Sequence, residues 1–271
     1  MELLTARSAR LRDARALTIA KFRRARGQFL AEGPQAVGAA LAAGCVVQIL
    51  VAESARVRRA AELAAAQQAG LPVHIVEESA FATLVSAQTP QGIVAVCGWV
   101  PGTLAGLIAA AAQGDRGGHL VLAHELSDPG NAGALIRVAD AAGALGVALS
   151  DGSVDPTNAK CVRASAGSLF HLPVVPAGDT LAAIAALRAA GVRTLAADVT
   201  PAAIDLFTAE RAGLVAGRVA WILGNEAHGL PEEVLAAVEH VVRIPVLGRA
   251  ESLNLATAAA VCLYATARTG Q

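Results

Sequence analysis

Two side chains stand out by type and spacing, Asn131 and Arg137, in the stretch Asp128-Pro129-Gly130-Asn131-Ala132-Gly133-Ala134-Leu135-Ile136-Arg137. An amide and a guanidinium can bind and orient oxygen atoms, and neither is a typical nucleophile or metal ligand. The stretch follows the apolar run His119 to Ala123, which reads as a buried strand. After it Leu135, Ile136, Val138, Ala139, Ala142 and Leu145 recur at helical spacing. The reading is therefore strand, turn, helix. Pro129 and Gly130 set the turn, and Asn131 is placed to cap the helix. The plain alternative makes Asn131 only a cap and Arg137 only a solvated charge.

Two later segments shift that balance. One is Ile222-Leu223-Gly224-Asn225-Glu226-Ala227-His228-Gly229-Leu230-Pro231. The other is Ile244-Pro245-Val246, followed by Glu251-Ser252-Leu253-Asn254-Leu255-Ala256 at the head of a last helix. Each again follows an apolar run and puts small or polar residues where a strand gives way to a helix. Taken singly, Gly224, Ile244 and Leu253 read as turn and core, and Ser252 and Asn254 as helix caps.

In this order the three segments resemble the signature motifs of the SpoU/TrmH family of RNA ribose 2'-O-methyltransferases, within the SPOUT superfamily. GNEAHGLP and ESLNLATA resemble most the branch acting on ribosomal RNA, which includes the thiostrepton-resistance methyltransferases. The resemblance is strong over residues 117 to 268 and weak over the front third. It implies S-adenosylmethionine as methyl donor, no metal, RNA as partner and pairing of two subunits through the C-terminal domain. It also implies Asn131, Arg137, Glu226, Ser252 and Asn254 as the catalytic set. Gly224, Ile244 and Leu253 are the matching cofactor contacts, the glycine where a backbone approaches adenine or ribose. Glu226 could orient Arg137 by a charge-assisted pair. His228 falls in a slot the family leaves variable. Transfer RNA as substrate, and a non-catalytic RNA-binding or ribosome-assembly module, are the alternatives within this resemblance. A dinucleotide-dependent oxidoreductase on the same pattern is disfavoured, because the first turn lacks G-x-G-x-x-G.

Composition sets the bounds. The chain has 271 residues, 55% of them hydrophobic, and a formal net charge of zero. That length gives one large or two modest domains. No run is long and apolar enough to span a bilayer, and the charged start carries no apolar signal core. Cys45, Cys97, Cys161 and Cys262 lack metal-ligand spacing and read as reduced thiols of a cytoplasmic protein. The neutral total hides one local charge. Residues 1–30 hold eight basic against two acidic residues, a net +6. A solvated helix face or a surface for phosphates would both look like this.

The elements that must position these residues alternate. Residues 3 to 26 read as one helix ended by Gly27. Strands follow at 28–31, 46–51, 73–76 and 93–96, with helices from Pro34, over 55–69 and over 78–86. This front α/β segment, 1–98, resembles the family's substrate-binding domain, which is ribosomal-protein-like and binds RNA. Residues 99–118 form a linker with a possible helix over 104–112. The resemblance implies that residues 119–271 form the methyltransferase domain. Strands are expected there at 120–123, 146–150, 173–175, 192–197, 218–223 and 241–244, separated by helices, one of them running from Asp155 through Leu169. That alternation means a mostly parallel sheet, with ligands beyond the carboxyl ends of its strands. The fold class is thus α/β throughout. A C-terminal trefoil knot is implied by the resemblance alone.

Overall fold

The structure is a computed structural model, and it describes residues 3–87, 89–113, 118–225 and 228–269. The chain forms two compact units. The first comprises Met1–Val100 and Asp155–His171, the second Pro101–Val154 and Leu172–Gln271.

In the first unit the elements run β1 (Leu3–Leu4), α1 (Ala9–Ala16), α2 (Ala20–Arg26), β2 (Gln28–Glu32), α3 (Pro34–Ala42), β3 (Val46–Ala52), α4 (Ala60–Gln68), β4 (Val73–Val76), α5 (Glu78–Phe81) and β5 (Ile93–Gly98). Its sheet has the order β1-β4-β3-β5-β2. β4 is parallel to both its neighbours, whereas β5 is antiparallel to β3 and β2.

The single helix expected over residues 3–26 is three elements. Leu3 and Leu4 are drawn into the sheet opposite Ile75 and Val76, a pairing too distant in sequence for helical periodicity to show. The helical part then breaks near Thr18. There the Arg23 guanidinium takes the carbonyls of Leu17 (3.3 Å) and Thr18 (3.2 Å) and pairs with Asp155 at 2.7 Å. Gly27 ends α2 in the left-handed conformation at φ 58°, as a C-terminal glycine does. Arg23 is 7% exposed, so it leaves the basic surface to the other seven cations of that segment.

The second unit begins with α6 (Leu104–Gln113), β6 (His119–Ala123), α7 (Pro129–Ala141) and β7 (Val147–Ser150). The chain then supplies the first unit's segment, with α8 (Ala159–Ala164). The helix expected from Asp155 to Leu169 is therefore short. It stops where Ala166 and Gly167 both take positive φ, before a 3-10 turn over Ser168–Phe170. Phe170 stacks on Phe29 at 5.9 Å, and Arg163 binds Glu32 at 3.2 Å.

The second unit resumes with β8 (Val174–Gly178), α9 (Thr180–Ala189), β9 (Arg193–Ala197), β10 (Ile204–Asp205), α10 (Leu206–Arg211), β11 (Val219–Leu223), α11 (Glu232–Ala237), β12 (His240–Arg243) and α12 (Leu255–Thr269). Its seven strands lie in the order β10-β12-β9-β11-β6-β7-β8. Every pairing is parallel. β6 and β11 are buried along their whole length, as expected of strands covered on both faces. β10 and α10 were not expected. A two-residue strand carries too little periodicity to read, and Ile204 and Asp205 find their places only opposite Val242 and Arg243.

Two observations explain how α7 and α12 are set. α12 packs against α7 and β11. The fully buried Trp221 of β11 donates its indole N–H to Thr266 of α12 at 2.9 Å, and Tyr264 reaches the Ala141 carbonyl at 3.2 Å. Burying an indole with its one donor satisfied gains packing without leaving a polar orphan.

Candidate active site

Adjacent parallel strands release their chains on the same edge of a sheet. β6 and β11 are neighbours in register, Ala123 opposite Leu223, and β9 lies on the other side of β11, Ala197 opposite Leu223. The loops after β6, β11 and β12 therefore meet. They surround a cavity of about 450 Å³.

The first loop enters α7 differently from expectation. Asp128, not Asn131, is the cap. Its carboxylate accepts the Asn131 N–H at 2.8 Å, and Pro129 takes the first helical position. Proline has no N–H to satisfy there and has the right φ, so the helix starts three residues earlier than an asparagine cap would allow. Asn131 thus sits within the first turn with its side chain not spent on capping, and it lines the cavity.

At the third loop the cap is the expected one. The Asn254 side-chain oxygen accepts from the Ala256 N–H at 3.0 Å, at the head of α12. Its Nδ2 donates to Asn131 Oδ1 at 3.2 Å. One amide therefore starts a helix and joins the first motif to the third.

The second loop closes on itself. Asn225 and Gly229 exchange two backbone hydrogen bonds, of 3.1 and 2.8 Å. A Cβ at Gly224 would fall 2.5 Å from the Gly229 carbonyl and 2.8 Å from the Leu230 nitrogen. The expected reason for glycine was the approach of a ligand; the reason seen is the approach of the loop's own backbone.

Six of the eight expected site residues line this one cavity: Asn131, Gly224, Ile244, Ser252, Leu253 and Asn254. Arg137 does not. It is exposed on α7. Glu226 lies outside the described residues, and with it the expected pairing to Arg137. Ala197, Val199, Asn225 and Ala258 also line the cavity and were not anticipated as site residues. Ala197 ends β9 and Val199 follows it, and no local pattern reveals the place of β9 beside β11. Among the described residues every lining side chain is neutral, and apolar groups dominate. No described group of three or more His, Cys, Asp or Glu could hold a metal ion. Cys262, inside α12, is fully buried, and burial pushes its thiol up to about 12, so it stays protonated.

Three motifs in this order, brought to one cavity, agree with a family model that matches residues 118–264, the SpoU rRNA Methylase family. The chain belongs to that family. Residues 8–95 match a second model, the MRM3-like substrate binding domain. The SpoU methylases similar to this chain include the 23S rRNA (guanosine(2553)-2'-O)-methyltransferase RlmP of Bacillus subtilis, 32% identical over 97% of this chain and 98% of that protein. The AdoMet-bound rRNA methyltransferase of Sinorhizobium meliloti has a similar structure, with a TM-score of 0.82 and 32% identity over 98% of this chain and 97% of that one. The SpoU methyltransferase AviRb of Streptomyces viridochromogenes, with AdoMet, follows at a TM-score of 0.79 and 28% identity, covering 96% and 98%.

Proposed function

We propose that this protein transfers a methyl group from S-adenosylmethionine to a ribose 2'-hydroxyl of ribosomal RNA. The carrying observation is the single cavity made by the three motif loops beyond the carboxyl ends of β6, β11 and β12. Its size suits a small-molecule cofactor, and its largely apolar wall with a few amides suits an adenine ring held by orientation more than by charge. No cation lines it among the described residues, so a sulfonium meets no like charge there.

When bound, S-adenosylmethionine supplies an activated methyl on a good leaving group, so no metal is called for. The chain's part is to bind, align and exclude water. Ile244 and Leu253 wall the cavity, and Gly224 shapes its turn. The Asn131–Asn254 bond holds two amides in one orientation at the mouth. The Ser252 hydroxyl stands exposed beside them. A guanidinium offers donors and no acceptor, so we assign Arg137 to holding a phosphate and the 2'-oxygen, not to taking a proton. Glu226 completes the set as the partner expected to orient it.

Residues 1–98 we assign to RNA binding, with 99–118 as linker and 119–271 as the catalytic domain. The exposed cations of the first 30 residues and the substrate-binding-domain match support the first assignment. We further infer that the last loops form a trefoil knot. β11 entering between β9 and β6, and β12 between β10 and β9, support it. The groove where Phe207 and Tyr264 stand exposed beside α12 supports pairing of two chains through the C-terminal domain. Light scattering giving a monomer at micromolar concentration rejects that pairing. The free cysteines suit a cytoplasmic setting. Among the described residues no helix is long and apolar enough to cross a membrane.

The test is tritium transfer from labelled S-adenosylmethionine to ribosomal RNA, with the product digested to nucleosides. A 2'-O-methylnucleoside is expected; label on a base, or none, rejects the reading.

A further inference from the structure

Beside the cavity one residue holds a backbone shape that side-chain-bearing residues seldom adopt. Glu125, two positions after β6, has a φ of 47°. Several bonds impose it. Its N–H donates to Ser150 Oγ at 2.8 Å, and that hydroxyl donates onward to the Asp151 carbonyl at 2.9 Å. The next residue, Leu126, donates to Ser153 Oγ at 3.1 Å and accepts from the Val154 N–H at 2.8 Å. Strain held this firmly at the rim of a site invites the question of what it delivers.

It delivers a carbonyl. Glu125 O accepts from Asn225 Nδ2 at 2.7 Å. Asn225 directly follows Gly224 and forms the base of the turn closed with Gly229. One side chain thus ties the turn after β11 to the loop after β6, three residues before the Asp128 cap that sets Asn131.

We propose that Asn225 is a positioning residue for methyl transfer: its amide locks the second-motif turn to the Glu125 carbonyl and so fixes the separation of Gly224 and Asn131 across the cavity. The inference rests on the methyltransferase reading. In-line displacement tolerates little error, since a shift of about 1 Å can cost on the order of a hundredfold in rate. An exposed bond of this kind contributes little to global stability, so its loss should be felt in turnover rather than in folding.

The experiment uses the full chain, ribosomal RNA and tritiated S-adenosylmethionine, with calorimetric titration of the cofactor and a melting curve. Asn225→Asp keeps the shape but replaces the donor by a carboxylate facing a carbonyl. We expect kcat to fall roughly tenfold or more, with KM for RNA and the melting temperature close to wild type. Glu125→Val, whose β-branched side chain resists positive φ, should lose more turnover than Glu125→Gly, which adopts it freely. Combining Asn225→Asp with Glu125→Val should add little to the worse single variant, because both break one bond. Wild-type kcat in Asn225→Asp, or fully additive losses, overturns the proposal. If Asn225→Asp does not fold, the Glu125 pair decides, and equal turnover of the two variants overturns it. Absence of methyl transfer by the wild-type chain is a different result, since it removes the methyltransferase reading itself.

Discussion

The two units use polar side chains in opposite ways. In the first, charges are buried to hold backbone together. Arg23 and Asp155 are 7% and 15% exposed, and their bond joins α2 to a segment more than a hundred residues away in sequence. In the second, the polar groups around the cavity are left accessible. Ser252 and Asn254 are exposed, and Asn131 is half-buried. A charge taken out of water must be matched at once by a partner, so it can serve only structure. An amide or hydroxyl on the wall of an apolar cavity stands within reach of a ligand. The contrast separates residues whose loss should unfold the protein from residues whose loss should silence it.

The largest effect is expected at the buried pair. Asp155→Ala leaves Arg23 buried without its countercharge and should cost about 3 kcal/mol of stability. Urea melts should show it, while whatever protein remains folded should keep cofactor affinity. A variant as stable as wild type would erase the contrast on the structural side. Next comes Arg137→Ala. It should lower methyl transfer about a hundredfold, roughly 2.7 kcal/mol of barrier, with S-adenosylmethionine binding and melting nearly unchanged. Arg137→Lys should recover only part, since the planar fork is lost. Joint loss of stability and cofactor binding would instead make Arg137 a structural group.

Asn131 and Asn254 sharpen the comparison, because the hydrogen bond between them joins a purely accessible role to a mixed one. Asn254→Ala removes a helix cap and should cost about 1 kcal/mol of stability in addition to activity. Asn131→Ala should cost activity with little change in melting, because Asp128 caps α7. Equal melting of the two variants would contradict the assignment of caps.

The smallest effect is one of pH. Burial works to raise the Asp155 carboxyl, but hydrogen bonds from Thr157 and Arg23 outweigh it and hold it below its ordinary value of 3.8. A depressed carboxyl gives stability that is present above the unfolded value and lost as pH falls through the folded one. Wild type should therefore lose its advantage over Asp155→Asn below about pH 4. An advantage that does not shrink as pH falls below about 4 would show that the carboxylate charge is not its source.

Particular residues show how far the sequence could be read. The loops carrying Asn131, Gly224 and Asn254 were legible, because each lies where an apolar run meets helical spacing, and parallel strands send such loops to one edge. The cap of α7 was misread, because asparagine and aspartate three residues apart are both good caps and only Pro129 decides between them. The partnership of Arg23 with Asp155 was out of reach, since nothing local marks which of many arginines will be buried. The same holds for Leu3 and Leu4, which look helical until Ile75 and Val76 arrive.

The segment Asp155–His171 also bears on how the protein is made. The first unit cannot finish its core with the first 100 residues, because the Asp155 carboxylate and the Phe170 ring are encoded far downstream. On a ribosome adding about 5–20 residues per second, the nascent unit waits roughly 4–14 s for them. During that interval Arg23 lacks its countercharge, and Phe29 lacks the ring that stacks on it. β6, α7 and β7 are synthesised in the same interval. The first unit is thus completed only after the chain has begun its second unit, which makes the order of translation, and not only the final contacts, part of what this sequence specifies.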